Sequence, residues 1–298
     1  MKLLVLLFST VFFISSCCVQ GKMDAARKAL SDFREQQAKE RQKIEAMRGV
    51  SDFKLKEGKI DTTIQNRIFR RLNSFQAVLN MPEGYAKTVD SLLSNNKLFR
   101  KKYKTIVLPF LDSLQKAIAG YSNRLKLYIM VEDGLDIAKY ELFDLAAFFG
   151  PGKYEIPDEK SALAVKSFSP IIDSVVRFAR KYDLPSTASL VILGFADGTG
   201  FSNSGPLFET LTGYIGRKDV TKEELNQKLS ELRAKELITQ LTKAFIQKAS
   251  SISEMEKVMV EYIGQGKGEA YPLPTIRDYT LDDARRRIVL CYWAVLPD

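Results

Sequence analysis

The C-terminal half of the chain alternates apolar runs of strand length with stretches of helical periodicity, and this alternation restricts the possible folds most. The run from Ser189 to Phe195 is almost wholly apolar, which is typical of a central strand covered on both faces. Further strands are predicted at 148–156, 258–263 and 288–296.

Helices are predicted between these strands. Ser169 and Pro170 start one that runs to about Tyr182, and the capping-box pattern from Thr221 to Glu224 starts another. The order strand, helix, strand, helix, strand, strand predicts an α/β (α+β) sandwich with a mixed sheet, preceded by a mainly helical N-terminal region.

The N-terminal region shows helical spacing almost throughout. A helix is predicted within 17–50, although Gln37 and Glu40 interrupt its central heptad. Two interpretations stay open for it: a lipid-anchored stalk, or an amphipathic helix packed on its own domain. Residues 51–140 are predicted to form a mainly helical domain, with one strand-like run at 125–131.

The first residues have the pattern of a secretory signal. An apolar run from Leu3 to Ile14 is too short to span a bilayer as a stable helix. The segment Ile14-Ser-Ser-Cys17 resembles a bacterial lipobox, so 1–16 are predicted to be a lipoprotein signal peptide and Cys17 the acylated residue. Acyl chains such as palmitate would hold the protein on a membrane without spanning it. An ordinary cleaved signal is the alternative.

Composition excludes several classes of function. The chain has no histidine, which rules out a Ser-His-Asp triad, a Cys-His nucleophile and a His-ligated zinc site. No cofactor or metal is predicted. The formal charge of +9 suits an anionic partner such as nucleic acid, anionic lipid or an acidic wall polymer. A solvated lysine-rich surface is the simpler interpretation, and no nucleic-acid-binding motif accompanies the charge.

Four separated segments of the C-terminal half occur in a fixed order. They are Leu190-Val-Ile-Leu-Gly-Phe-Ala-Asp197, Leu225-Asn-Gln-Lys-Leu-Ser-Glu-Leu-Arg233-Ala, Gly264-Gln-Gly-Lys-Gly-Glu-Ala-Tyr-Pro272 and Ala284-Arg-Arg-Arg-Ile288. In this order they resemble the OmpA-like peptidoglycan-binding domain, whose pattern runs Gly-His-Thr-Asp, Asn-x-x-Leu-Ser-x-x-Arg-Ala, Gly-x-Gly-x-x-x-Pro, Asn-Arg-Arg-Val. The resemblance implies that family's βαβαββ sandwich for 141–298, with an insertion near 201–223 that acts as a lid, adds glycan contacts or obstructs the site.

The resemblance also implies a binding site for diaminopimelate, the peptidoglycan residue whose free end carries an ammonium and a carboxylate on one carbon. Asp197 matches the family's ammonium-binding aspartate, and Arg233 matches the arginine that holds the carboxylate. An anionic acceptor and a forked cationic donor suit such a zwitterion. Supporting roles are expected for Thr199, Asn226, Arg286 and Arg287.

The sequence therefore predicts a non-enzymatic binding protein of the cell envelope, lipid-anchored in the outer membrane and facing the periplasm. Its partners would be peptidoglycan, the membrane and envelope proteins at the N-terminal helices, with no nucleic acid. The alternative is a structural or assembly lipoprotein whose degenerate OmpA-like domain binds proteins instead. A wall hydrolase is a third interpretation, for which Glu159, Glu209 and Asp219 are available without motif spacing.

Overall fold

The computed structural model describes residues 19–144, 153–199, 201–202, 204–273 and 276–298, with the side chains of 141–144 and 284 not described. The chain divides into two compact units. The first comprises the chain up to Arg48 together with Phe69–Tyr128, and the second comprises Gly49–Ile68 and Ile129–Asp298. The predicted signal peptide and Cys17 lie outside the described residues. Over the described part of the chain, no helix combines the length and the hydrophobicity that crossing a bilayer requires.

Helices make up the N-terminal half, as predicted. Their bounds are α1 Val19–Lys56, α2 Thr62–Asn80, α3 Glu83–Leu93, α4 Asn96–Lys102, a π-helical turn Tyr103–Val107, α5 Leu108–Ala119 and α6 Tyr121–Ile137. The strand predicted at 125–131 is wrong, because this run lies inside α6. Tyr128, Val131 and Leu135 are buried there at steps of three and four, the spacing of a helix face.

The part of helix α1 up to Arg48 packs within the first unit and does not stand apart as a stalk. Its apolar residues from Met23 to Phe33 are buried against Val89, Phe99 and Phe110. The helix also continues beyond the predicted end near residue 50, to Lys56. The second of the two interpretations that the sequence left open therefore describes this helix.

The two polar residues that interrupt the heptad of α1 are buried cross-links within the first unit. Gln37 Nε2 donates to the carbonyl oxygen of Leu79 at 2.6 Å. Glu40 is 1% exposed and accepts hydrogen bonds from Arg124 Nε and Nη2, both at 2.9 Å, and from the Tyr128 hydroxyl at 2.7 Å. Burial raises the pKa of Glu40, but the hydrogen bonds from Arg124 and Tyr128 outweigh it and bring that pKa below its ordinary value.

The second unit contains a mixed four-stranded sheet in its described part. The strands are β1 Lys139–Asp144, β2 Ser186–Gly194, β3 Val258–Gly266 and β4 Ile288–Pro297. Their order is β1-β4-β2-β3, with β2 and β3 parallel and β4 antiparallel to both β1 and β2. This sheet, with helices preceding it, confirms the predicted α+β class. Every residue of β2 from Ala188 to Gly194 is buried, as predicted for a central strand.

The opening strand lies earlier than predicted. Residues 153–156 are not in a strand, and 148–152 lie outside the described residues. Strand β1 instead places Tyr140 opposite Tyr292 of β4, with ring centroids 5.7 Å apart. The predicted segment contains Pro151 between two glycines, residues that weaken a strand.

Helices of the second unit are α7 Asp158–Ser167, α8 Ser169–Tyr182, α9 Pro206–Ile215 and α10 Lys222–Ala249, with 3-10 turns at Ser253–Lys257 and Ala284–Arg286. The predicted capping box starts α10: Thr221 Oγ1 accepts from the Glu224 N–H at 3.3 Å, and Glu224 Oε2 accepts from the Thr221 N–H at 2.9 Å. Helix α9 lies in the insertion and packs through Leu211 on α10.

We predict that Glu40→Gln lowers the free energy of unfolding by about 3 kcal/mol, because it leaves the Arg124 guanidinium without its counterion in a largely buried place. Chemical denaturation measures the change. Glu35→Gln, the same substitution in an exposed pair with Lys39 on α1, should leave the midpoint unchanged.

The pH dependence of this difference follows from the lowered pKa of Glu40. A carboxylate with a lowered folded pKa contributes stability that is present above its unfolded pKa and is lost as the pH falls through the folded pKa. The difference between wild type and Glu40→Gln should therefore shrink in acid. Equal effects of the two substitutions at neutral pH would contradict the structural role given to Glu40.

Candidate functional site

Helix α10 lies unusually close to the end of β2 and β3 because glycines occupy the strand positions beneath it. A Cβ atom at Gly194 would lie 2.1 Å from the carbonyl oxygen of Ser230, and one at Gly266 would lie 2.6 Å from Ser230 Oγ. At Gly264 the contact is softer, since a Cβ there would lie 2.8 Å from Ile238 Cδ1, the end of a flexible side chain. Only glycine allows this approach of helix to strand.

Arg233 follows Ser230 by about one helical turn and reaches the residues after β2. It is 2% exposed. Its Nη1 donates to the carbonyl oxygen of Phe195 at 2.9 Å and its Nε to that of Lys153 at 3.3 Å. Burial lowers the pKa of Arg233 to about 10, while the charge of Asp197 raises it and that of Arg287 lowers it further. The guanidinium thus stays protonated at neutral pH.

The backbone after β2 is held on both sides before it turns. The N–H of Phe195 donates to Ile288 O at 3.1 Å, and the N–H of Ala196 donates to Gly268 O at 2.8 Å. These bonds extend the pairing of β2 with both neighbours beyond Gly194. Asp197 is consequently fixed at the carboxyl edge of the sheet, where ligand sites are common in open sheets with helices.

Asp197 uses its two oxygens differently. Oδ1 accepts a hydrogen bond from the backbone N–H of Thr199 at 3.1 Å. Oδ2 lies 3.1 Å from Arg287 Nε, with the two side chains 15% and 24% exposed. Arg287 Nε is nevertheless a buried nitrogen without a hydrogen-bond partner among the described residues. The contact is therefore an ion pair without the alignment of a hydrogen bond.

Asp197 contacts Arg287 at this edge, whereas Arg233, the other residue predicted to face Asp197, binds backbone carbonyl oxygens and forms no ion pair with it. Asp197 comes from the end of β2, Arg233 from α10, and Arg287 from the residue before β4, which starts beside the end of β2 because the two strands are antiparallel. The cluster has a formal charge of +1, so it can accept a further anionic group more readily than a further cation.

Asn226 and Thr199 have other surroundings. Asn226 is buried and its Nδ2 donates to Glu269 Oε1 at 2.6 Å. Ser230, on the same face of α10, accepts from the Gly268 N–H at 2.9 Å. Both residues hold the glycine-bearing loop after β3. The side chain of Thr199 is exposed, and its backbone N–H is the group that contacts Asp197.

Arg286 is buried and forms no ion pair with Asp197; its guanidinium binds backbone carbonyl oxygens of neighbouring loops. Its Nη1 donates to the carbonyl oxygens of Thr280 and Leu281 at 3.3 and 3.1 Å, and its Nη2 donates to that of Glu269. Its guanidinium carbon lies 5.0 Å from the centroid of the Tyr271 ring. Arg286 therefore fixes the loop that adjoins the site.

Two contacts of the site were not anticipated from the sequence. Glu269 is the partner of Asn226 and also lies 3.4 Å from Lys222 Nζ. In the sequence, Glu269 is a single acidic residue in a glycine-bearing segment, and this pattern is only a weak sign that it binds Asn226 and Lys222. The Phe195 carbonyl that holds Arg233 has no sequence signal, since every residue carries a carbonyl. In the part of the chain that the structure describes, no cluster of three or more acidic or cysteine side chains forms a metal site.

Comparison with known proteins yields likenesses to solved structures alone. No protein-family model matches the chain, and no curated protein does so. Among solved structures, the periplasmic domain of Helicobacter pylori MotB is similar over 53% of this chain and 76% of its own, with 12% identity and a TM-score of 0.30. A likeness at this level transfers no residue's role.

We predict that Gly194→Ala lowers the free energy of unfolding by at least about 2 kcal/mol, because the added methyl group meets the backbone of α10 and no side chain can move aside. Gly213→Ala is the matched control: its Cβ would have nothing within 4 Å, and it lies inside α9, where alanine stabilises a helix by up to about 1 kcal/mol. Thermal and chemical denaturation test both. A Gly194→Ala protein as stable as wild type would show that α10 does not lie this close to β2.

Proposed function

We propose that the chain is a non-enzymatic binding protein that holds the diaminopimelate end of a peptidoglycan stem peptide at Asp197, Arg287 and Arg233. The observation that supports this most is the ion pair of Asp197 with Arg287 at the carboxyl edge of β2, beside the buried guanidinium of Arg233 that binds the carbonyl oxygen of Phe195. The choice of ligand comes from the four sequence segments that resemble the OmpA-like domain, three of which supply the charged side chains named here.

The ion pair between Asp197 and Arg287 supplies the opening for a ligand. Because Arg287 Nε is not aligned with Asp197 Oδ2, this oxygen keeps lone pairs that an ammonium group can use. A ligand ammonium on Oδ2 would exchange an unaligned contact for charge-assisted hydrogen bonds. Arg287, released from Asp197, would then face the ligand carboxylate on the same carbon.

Arg233 takes the deeper position in this arrangement. Its guanidinium is held by the carbonyl oxygens of Phe195 and Lys153, and its Nη2 makes no hydrogen bond to a described residue. It therefore adds positive potential near the ligand carboxylate and keeps the two N–H donors of Nη2 for it. Arg287, the more exposed of the two cations, makes the first contact in this proposal.

The location forms part of the same proposal. Acylation of Cys17 would anchor the chain in the outer membrane, facing the periplasm, and a grip on peptidoglycan would tie that membrane to the wall. Acyl chains hold a protein on a bilayer through burial of methylene groups, each worth roughly 0.8 kcal/mol.

A second candidate function rests on the burial of Arg233. Two of its donors already bind carbonyl oxygens of the protein itself, and α9 of the insertion packs in an apolar cluster with Ala196 and Leu229. A domain that keeps the fold but binds protein partners through the insertion and the N-terminal helices would have these features. Binding to the wall separates the two candidates.

We predict that Asp197→Asn weakens retention of the full mature chain on purified sacculi at least about tenfold, because the amide loses the charge-assisted bond to the ligand ammonium. Sedimentation with sacculi measures retention, and added diaminopimelate should compete. Arg287→Gln should have a similar effect and keeps the test valid if Asp197→Asn proves unstable.

The control is Asp183→Asn, which removes an exposed carboxylate paired with Lys257. Asp183 has a φ of 48°, a left-handed conformation that asparagine tolerates, so the substitution should not strain the backbone. Wild-type retention of both site variants would overturn the proposal and leave the protein-binding candidate.

We also predict that Cys17→Ser abolishes incorporation of labelled palmitate, whereas Cys18→Ser keeps it. Only Cys17 is preceded by a branched apolar residue and two small residues, the pattern of the lipobox. Metabolic labelling followed by immunoprecipitation measures incorporation. Label retained in Cys17→Ser would contradict the assignment of the anchor.

A further inference from the structure

A continuous cationic surface lies on α4 and the π-helical turn of the first unit. Between Asp90 and Asp112 the chain contains no acidic residue. This stretch carries five basic side chains, all of them exposed: Lys97, Arg100, Lys101, Lys102 and Lys104. The flanking acids do not neutralise them, because Asp90 pairs with Arg34 and Asp112 with Lys116.

The core of the unit fixes the direction of this surface. Phe99, Val107 and Phe110 are buried in the apolar cluster of the first unit, so the cations occupy the outward side of the same segment. Leu98 and Leu108 are exposed beside them, at 46% and 48%. Exposed leucines next to lysines and arginines are typical of surfaces that lie in a membrane interface.

The start of α1 lies next to this surface. Val19 packs against the same apolar cluster as Phe99 and Tyr103. Lys22 Nζ lies 4.9 Å from the centroid of the Tyr103 ring and so adds a further cation nearby. Two residue steps separate Val19 from Cys17 and span at most about 7 Å.

We infer that this cationic face, defined by the five basic residues with Leu98 and Leu108, binds anionic phospholipid headgroups. It is a membrane contact distinct from the wall-binding site proposed for the second unit. Its nearness to a bilayer rests on the proposed acyl anchor at Cys17, whereas its affinity for headgroups does not. A membrane fits better than nucleic acid, because the two exposed leucines gain nothing from a phosphate backbone but can enter the acyl boundary.

A second membrane contact would strengthen the attachment of an acylated protein. Stable membrane attachment generally combines an acyl chain with another signal, such as a basic patch. Each lysine or arginine near an anionic surface raises affinity about fivefold. The face would also fix the orientation of the first unit on the membrane, since its charges lie on one side only.

The experiment uses the mature chain from residue 17 with Cys17→Ser, which carries both units and no acyl chain. Sedimentation is compared on vesicles of phosphatidylcholine and on an equal mixture of phosphatidylcholine with phosphatidylglycerol. We expect binding to the mixed vesicles only, weakening as salt screens the charges. The double variant Lys101→Gln with Lys104→Gln should lower affinity about 25-fold, by two contributions of about fivefold each.

The matched control is Lys166→Gln with Lys243→Gln, which removes the same charge from two exposed positions of the second unit. It should bind the mixed vesicles within about twofold of wild type. Absence of binding to mixed vesicles would overturn the inference. An equal loss of vesicle affinity in both double variants would also overturn it, because it would show an effect of net charge alone. Retention on sacculi should be unchanged in Lys101→Gln with Lys104→Gln, so failure here is distinct from failure of the wall-binding proposal. If that variant loses sacculi and keeps vesicles, the face binds wall polymer and the inference is wrong.

Discussion

The close approach of α10 to β2 and β3 is the constraint on which the site depends. Glycines at 194 and 266 leave room for the helix backbone where a Cβ atom would collide with it. Ser230 then bonds the loop after β3, and Arg233 reaches the carbonyl of Phe195 directly after β2. Without this approach, side chains of the strands would hold the helix farther from the sheet, and Arg233 would not reach the carbonyl oxygen at the end of β2. The glycines thus shape the candidate site by setting the distance between α10 and the strands, and they contribute no side chain to it.

Each unit buries a charge, but the two charges are satisfied differently. In the first unit, Glu40 accepts hydrogen bonds from Arg124 on both oxygens, from Tyr128 and from Gln36, and these four bonds use its acceptor sites. In the second unit, Asp197 Oδ2 has a cation nearby without an aligned bond. A fully bonded ion cluster stabilises a fold, whereas an unaligned one keeps binding capacity. This difference, more than burial itself, separates the structural carboxylate from the candidate binding carboxylate.

The positive charges of the chain are balanced by nearby acids in some places and not in others. Much of it is balanced by acids at short range, as in the pairs of Arg34 with Asp90 and Lys248 with Asp173. The cationic face of α4 and the π-helical turn is the exception, since its own stretch of chain contains no acid. The two proposed ligands, a zwitterionic wall peptide and an anionic phospholipid surface, would be bound by two differently built sites. One is a small buried cluster set by the sheet, and the other is an open helical face.

The sequence alone determined the helical character of the N-terminal half, the central strand ending at Gly194, the capping box at Thr221 and the α+β class, because periodicity and cap chemistry are local properties. It also pointed to Asp197 and Arg233, through the order of four segments. Only the tertiary structure decided that Gln37 and Glu40 are cross-links, that the first strand lies at 139–144, and that 125–131 is helical. It likewise decided that Arg287 contacts Asp197 while Asn226 and Arg286 hold loops. These outcomes depend on which distant residues supply hydrogen-bond partners and buried surface, and spacing along a chain does not encode those partners.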